Sequence, residues 1–172
     1  MKRWNQTMIA EFQAFARGYV STYNSKIDCA DLAIASLVDF AAVNKLPVRL
    51  KFYGNRQWKY YEFNPDKDNA KKFKKKAMTM LGALNVIDNT VEVPLSSTKP
   101  GDLLMSKWSN VLGHTRIIYS IKKDQKEGDY WIVWYQGNLP IVIPQKKEDY
   151  FKKIKGVFGN KPRRWNFAQF NK

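Results

Sequence analysis

Apolar positions at the start of the chain recur with helical spacing. Between residues 6 and 20, Met8, Ile9, Phe12, Phe15 and Ala16 share one stripe, the pattern of an amphipathic helix. After the polar stretch STYNSK, a second stripe runs through Ala30, Ala33, Ile34, Leu37, Val38 and Ala41. Asp28 precedes it as an N-cap, Asp31 occupies the third helical position where a carboxylate suits the helix dipole, and Pro47 marks its end. The period then changes. VRLKFY and WKYYEF, joined by GNRQ, read as a hairpin of two strands. Residues 68–84 return to helical spacing, with Phe73, Ala77, Met80, Leu81 and Leu84 inward and a lysine-rich face outward. STKPGD is a turn, and DLLMS, HTRIIYSI and YWIVWYQ are three further strands, the last two separated by the polar loop KKDQKEGD. Residues 144–170 read as a short helix and an irregular closing segment. Helices first and strands afterwards predict one α+β domain across residues 1–172, with no internal repeat or long linker.

Composition narrows the class. A chain of 172 residues, 44% hydrophobic and 15% aromatic, can bury a core without disulfides or a structural metal. One cysteine excludes an intrachain disulfide, and one cysteine with one histidine cannot make a Cys/His zinc site. No cofactor is expected. No stretch approaches the roughly 20 apolar residues of a membrane span, and the first twenty residues lack the apolar core of a signal peptide. A monomer made in the cytoplasm is expected. Thirty Lys and Arg against fifteen Asp and Glu leave a net charge of +15, which attracts polyanions: nucleic acid, anionic lipid surfaces or the acidic polymers of a bacterial wall.

The candidate chemistry rests on two residues that each occur once. Cys29 falls at the first position of the second helix, where unpaired N–H groups favour a thiolate, although the Asp28 carboxylate opposes one. Taken alone, a lone cysteine at a helix start reads equally as a small buried apolar residue. His114 opens a strand directly after Gly113, and alternation places His114, Arg116 and Ile118 on one face. A strand-borne imidazole aimed at a helix-borne thiol is a nucleophile–base pair, which needs a third group to hold the imidazole tautomer. Gln136 and Asn138, at the end of YWIVWYQGN, are the two candidates for that role. The KKFKKK run reads as a solvated helix face, PRRWNF as a packed closing segment, and Asp102 as a support for its own turn.

These blocks carry a resemblance. IDCADLAIASLVDF resembles the signature of NlpC-type cell-wall cysteine peptidases, in which an Asp-Cys pair opens a helix. TKPGDLLMS followed by LGHTRIIYSI is similar to that family's second signature, and YWIVWYQGN resembles the third-residue strand of the related CHAP amidases. The resemblance implies a papain-like fold, N-terminal helices packed on a central antiparallel sheet or half-barrel, with a hairpin and basic helix inserted at about 48–90. It implies Cys29 as nucleophile, His114 as base and then acid, and a polar third residue. It also implies a positioning tyrosine upstream, Tyr23 as the nearest by position with Tyr19 behind it, while general oxyanion logic offers the Cys29 backbone N–H as a donor. Ala30-Asp31 stands where the family has Ser-Gly, and its Trp-Gly-Gly element before the cysteine is missing. The implied activity is a cysteine amidase or endopeptidase acting on peptidoglycan stem peptides. Without a signal peptide, export or delivery by a specialised secretion apparatus is expected, with action in the periplasm or envelope and a cognate immunity protein as partner. The other readings are a papain-fold deamidase or acyltransferase acting on a protein, and a non-catalytic basic domain that binds nucleic acid.

Overall fold

The computed structural model describes residues 2–172. Two helices come first: α1, Gln6–Thr22, and α2, Cys29–Val43. Each begins at an acceptor side chain. Asn5 accepts the Met8 N–H and Asp28 accepts the Asp31 N–H, satisfying amides that a helix start leaves open. A separate antiparallel hairpin follows, β1, Val48–Gly54, with β2, Gln57–Phe63. The lysine-rich segment is two helices, α3, Ala70–Met80, and α4, Ala83–Asp88, rather than one. Leu81 is extended and Gly82 caps the second piece, so the apolar stripe bends instead of continuing.

The rest of the chain builds a six-stranded antiparallel sheet. Its strands are β3, Thr90–Glu92; β4, Leu103–Lys107; β5, Gly113–Asp124; β6, Asp129–Gln136; β7, Gln145–Tyr150; and β8, Arg163–Trp165, in the spatial order β3-β8-β4-β5-β6-β7. The tail therefore contributes an edge strand and an inner strand where the sequence predicts a short helix. A terminal helix α5, Phe167–Phe170, closes the chain.

Alternation along the strands sends side chains to two covered faces. Leu103, Met105 and Ile117 face α1 and α2 in the main core, with Ala33, Leu37 and Phe12. Leu104, Ile118, Ile132 and Trp134 face the other way, under Val157 of the closing segment. At one end of the main core, Trp4 packs among Phe12, Phe40, Phe167 and Phe170 and donates its indole N–H to Pro47 O at 2.7 Å. Trp4 and Asn171 also exchange hydrogen bonds, at 2.9 and 2.8 Å, which ties the two ends of the chain together. No helix among the described residues is long and apolar enough to cross a membrane.

Candidate active site

The β5–β6 ladder ends at Ile117↔Tyr135, and past that pair the two strands separate. β6 is drawn away because the Asn138 N–H bonds Ile27 O at 3.3 Å, and Ile27 in turn bonds Val142 O. Gly137 lies so close to this segment that a Cβ there would come within 2.5 Å of Asp28 and Ile27 backbone atoms. The start of α2 thus occupies the split. Backbone groups of an inner strand point alternately to its two neighbours, and Ile118 bonds Asp102 and Gly101 on the β4 side. The Thr115 N–H therefore points to the side that β6 has left, and it donates to the Cys29 thiol.

Three amides converge on Cys29: those of Thr115, Ala30 and Cys29 itself. They do not produce a resting thiolate. Burial pushes the thiol above its ordinary value near 9, and the Asp28 carboxylate adds to the shift although it is engaged as the helix cap. The helix-start expectation of an acidified thiol is thereby offset by desolvation: Cys29 is only 8% exposed. His114 shifts the opposite way. Burial lowers its pKa and the nearby Arg116 charge adds to this, while a hydrogen bond to Gln136 and the charge of Asp28 favour the imidazolium. A neutral thiol and a neutral imidazole therefore coexist at pH 7.

The sequence candidates take distinct places. Thr115, the neighbour of His114, touches the Cys29 thiol, the Asp28 charge acts on both Cys29 and His114, and Gln136 contacts the imidazole. Gln136 is itself held by the Trp134 indole, whose N–H donates to Oε1 at 2.9 Å. Asn138 is exposed, and its Oδ1 accepts the following Leu139 N–H. Tyr23 ends α1 against Tyr19, whose hydroxyl donates to Asp39 on α2, and Asp39 also pairs with Lys74. The groups acting on Cys29 are others. Asp102 supports its turn, accepting from the Lys99 N–H and from Arg164, and Arg163 is spent on Thr90 and Glu92. With Trp165 and Phe167 buried, PRRWNF is a packed segment.

Four residues of the site had no role assigned from the sequence. Ser106 lies opposite His114 in the β4–β5 register, fully buried. Arg116 donates to Ser106 Oγ at 3.0 Å, which fixes both on the face of His114. Trp108 stacks over the His114 ring at 5.8 Å and 10° while staying 63% exposed, and Trp134 orients Gln136. The period-two grouping of His114 with Arg116 was the one sequence signal for any of them. Two buried side-chain oxygens among the described residues lack a partner, Thr115 Oγ1, on the residue whose N–H meets the thiol, and Asp31 Oδ1, on the side of α2 that faces the lysines of α3. Around the site the chain exposes Trp108, Val111 and Leu112 on one loop, and Leu139, Ile141 and Ile143 on the other. No cluster of potential metal ligands occurs among the described residues. Comparison with family models, curated proteins and solved structures finds no match to this chain.

Proposed function

We propose that this protein is a cysteine amidase or endopeptidase of papain-like, NlpC-type architecture that hydrolyses an amide bond in peptidoglycan stem peptides. The observation that carries the reading is the Cys29 thiol at a helix start, bonded by the Thr115 N–H beside a histidine that Gln136 holds. With both partners neutral at rest, proton transfer accompanies attack. The Cys29 sulfur bonds to the amide carbon as His114 takes the thiol proton. The imidazolium then protonates the leaving amine, and water, activated by His114, hydrolyses the thioester. The Cys29 N–H is the donor for the carbonyl oxygen as it gains charge. A protein of +15 charge suits an acidic wall polymer, and delivery into a target envelope with a cognate immunity protein follows from that reading.

Purified sacculi incubated with the protein should release new muropeptides, and Cys29→Ala should release none while keeping the parent's melting curve. An unchanged muropeptide profile overturns the wall substrate. A second reading, acyl transfer or deamidation on a protein, is favoured by the apolar rim of Trp108, Leu139, Ile141 and Ile143. It predicts an acylated or deamidated protein, not free muropeptides, detected as a mass change that Cys29→Ala abolishes.

A further inference from the structure

Among the described residues four arginines are partly buried, and three of these have carboxylate partners. Arg49 meets Glu62 at 2.8 Å, Arg163 meets Glu92 at 3.5 Å and Arg164 meets Asp102 at 2.7 Å. Arg116 is the exception among the described residues: its hydrogen bond goes to the Ser106 hydroxyl, and no carboxylate faces it. A guanidinium carries five N–H donors in a planar fork, so one neutral acceptor leaves most of its capacity open. Burying a cation without a counter-charge is costly, which makes the placement informative.

The placement is also specific. Arg116 lies two residues from His114 on the same strand face, where β5 and β6 have parted beyond Ile117↔Tyr135. Its charge is felt at His114, and an ionised Cys29 would favour the charged guanidinium. Ser106, buried beneath Gly156, holds one edge of the fork through Nη1. From this geometry we infer that Arg116 binds a carboxylate of the substrate, on the residue that adjoins the bond attacked by Cys29. The inference rests on the amide-cleaving reading of the site and adds a substrate class to it: amides with a free carboxylate close to the scissile bond. A fork–carboxylate pair supplies the missing counter-charge and orients the amide. Arg116 is thus a substrate-binding residue for which neutral analogues are poor ligands.

Alkylation of Cys29 tests the anion site without relying on hydrolysis. Iodoacetate and iodoacetamide differ in charge, and either loses iodide as the sulfur forms a thioether. Rates at Cys29, the only thiol, are each divided by the rate with a small free thiol at the same pH. The parent protein should favour iodoacetate over iodoacetamide at least tenfold, with saturation, and excess acetate but not acetamide should slow labelling. Arg116→Gln should abolish the preference by lowering the iodoacetate rate far more than the iodoacetamide rate, and Arg116→Lys, with charge but no fork, should keep only part of it. Absence of a preference in the parent overturns the inference even if the variants misfold. An equal loss of both rates in Arg116→Gln also overturns it, by assigning Arg116 to thiol activation. An iodoacetate preference without muropeptide release keeps the anion site and rejects the wall substrate. Muropeptide release without the preference keeps the hydrolase and rejects the anion site.

Discussion

Gln136 and Asn138 are separated by one glycine and are equal candidates by sequence to hold the imidazole, yet their oxygens accept from different groups. Asn138 serves its own turn, whereas Gln136 joins the Trp134 indole to His114. Gln136→Ala should lower kcat on sacculi about 10- to 100-fold, the usual scale for losing an orienting partner, while Asn138→Ala should stay within about threefold. The pH profile gives a second readout. Because burial lowers the His114 pKa, the acid limb of activity should lie below pH 6.5, where an ordinary imidazole would be half protonated. Gln136 favours the charged ring, so Gln136→Ala should move that limb further down. Asp31 titrates differently. Burial, with help from Asp28, pushes its carboxyl up to about 7 from 3.8. The folded state then holds that proton more tightly than the unfolded chain, so stability falls as pH rises from about 4 to about 7. Asp31→Asn should leave the melting temperature unchanged at pH 3.5 and raise it at pH 8, measured by thermal circular dichroism. Cys29 and His114 could be read from the sequence because each occurs once and opens an element. Arg116 could not, since a charge inside an alternating strand looks the same whether it faces water or a buried site.

At the scale of elements, the split between β5 and β6 sets the position of the thiol. Ala at 137 would drive its Cβ into the Asp28 carbonyl, so Gly137→Ala should lower both the melting temperature and the rate of substrate cleavage. Gly18, inside α1, should behave oppositely, because a Cβ at that position would meet no atom within 4 Å. Gly18→Ala should stabilise by about 0.5–1 kcal/mol in a urea titration. Both main helices, the hairpin and the three long strands were legible in period and turn residues. What escaped was short or polar. QKKEDY forms β7 at a sheet edge, where charged residues blunt pairing and erase the alternation that would announce a strand. β3 and β8 span three residues each, too few for any period to show.

For the molecule as a whole, the α+β class was legible from the order of elements, but the register that brings Thr115 to Cys29 was not, because it depends on where strands part. The aromatic cluster around Trp4 is where both ends of the chain enter the core. Trp4→Ala removes a buried ring and its bond to Pro47, and should cost about 3–5 kcal/mol in chemical denaturation. The net charge of +15 acts over longer range. Binding to sacculi should weaken steeply as salt rises from about 0.05 to 0.5 M, in a sedimentation assay with Cys29→Ala, because screening shortens the reach of surface charge from more than 10 Å to a few ångströms.

The reciprocal bonds between Trp4 and Asn171 place the two ends side by side at the Phe40 end of α2, roughly 17 Å along that helix from Cys29. A short glycine-serine bridge could join them into one continuous chain. Reopening it in the exposed turn at Asn55 and Arg56 would give a circular permutant with the same core and the same thiol. Cargo fused at either original end would leave from that pole, away from the Cys29 end of α2.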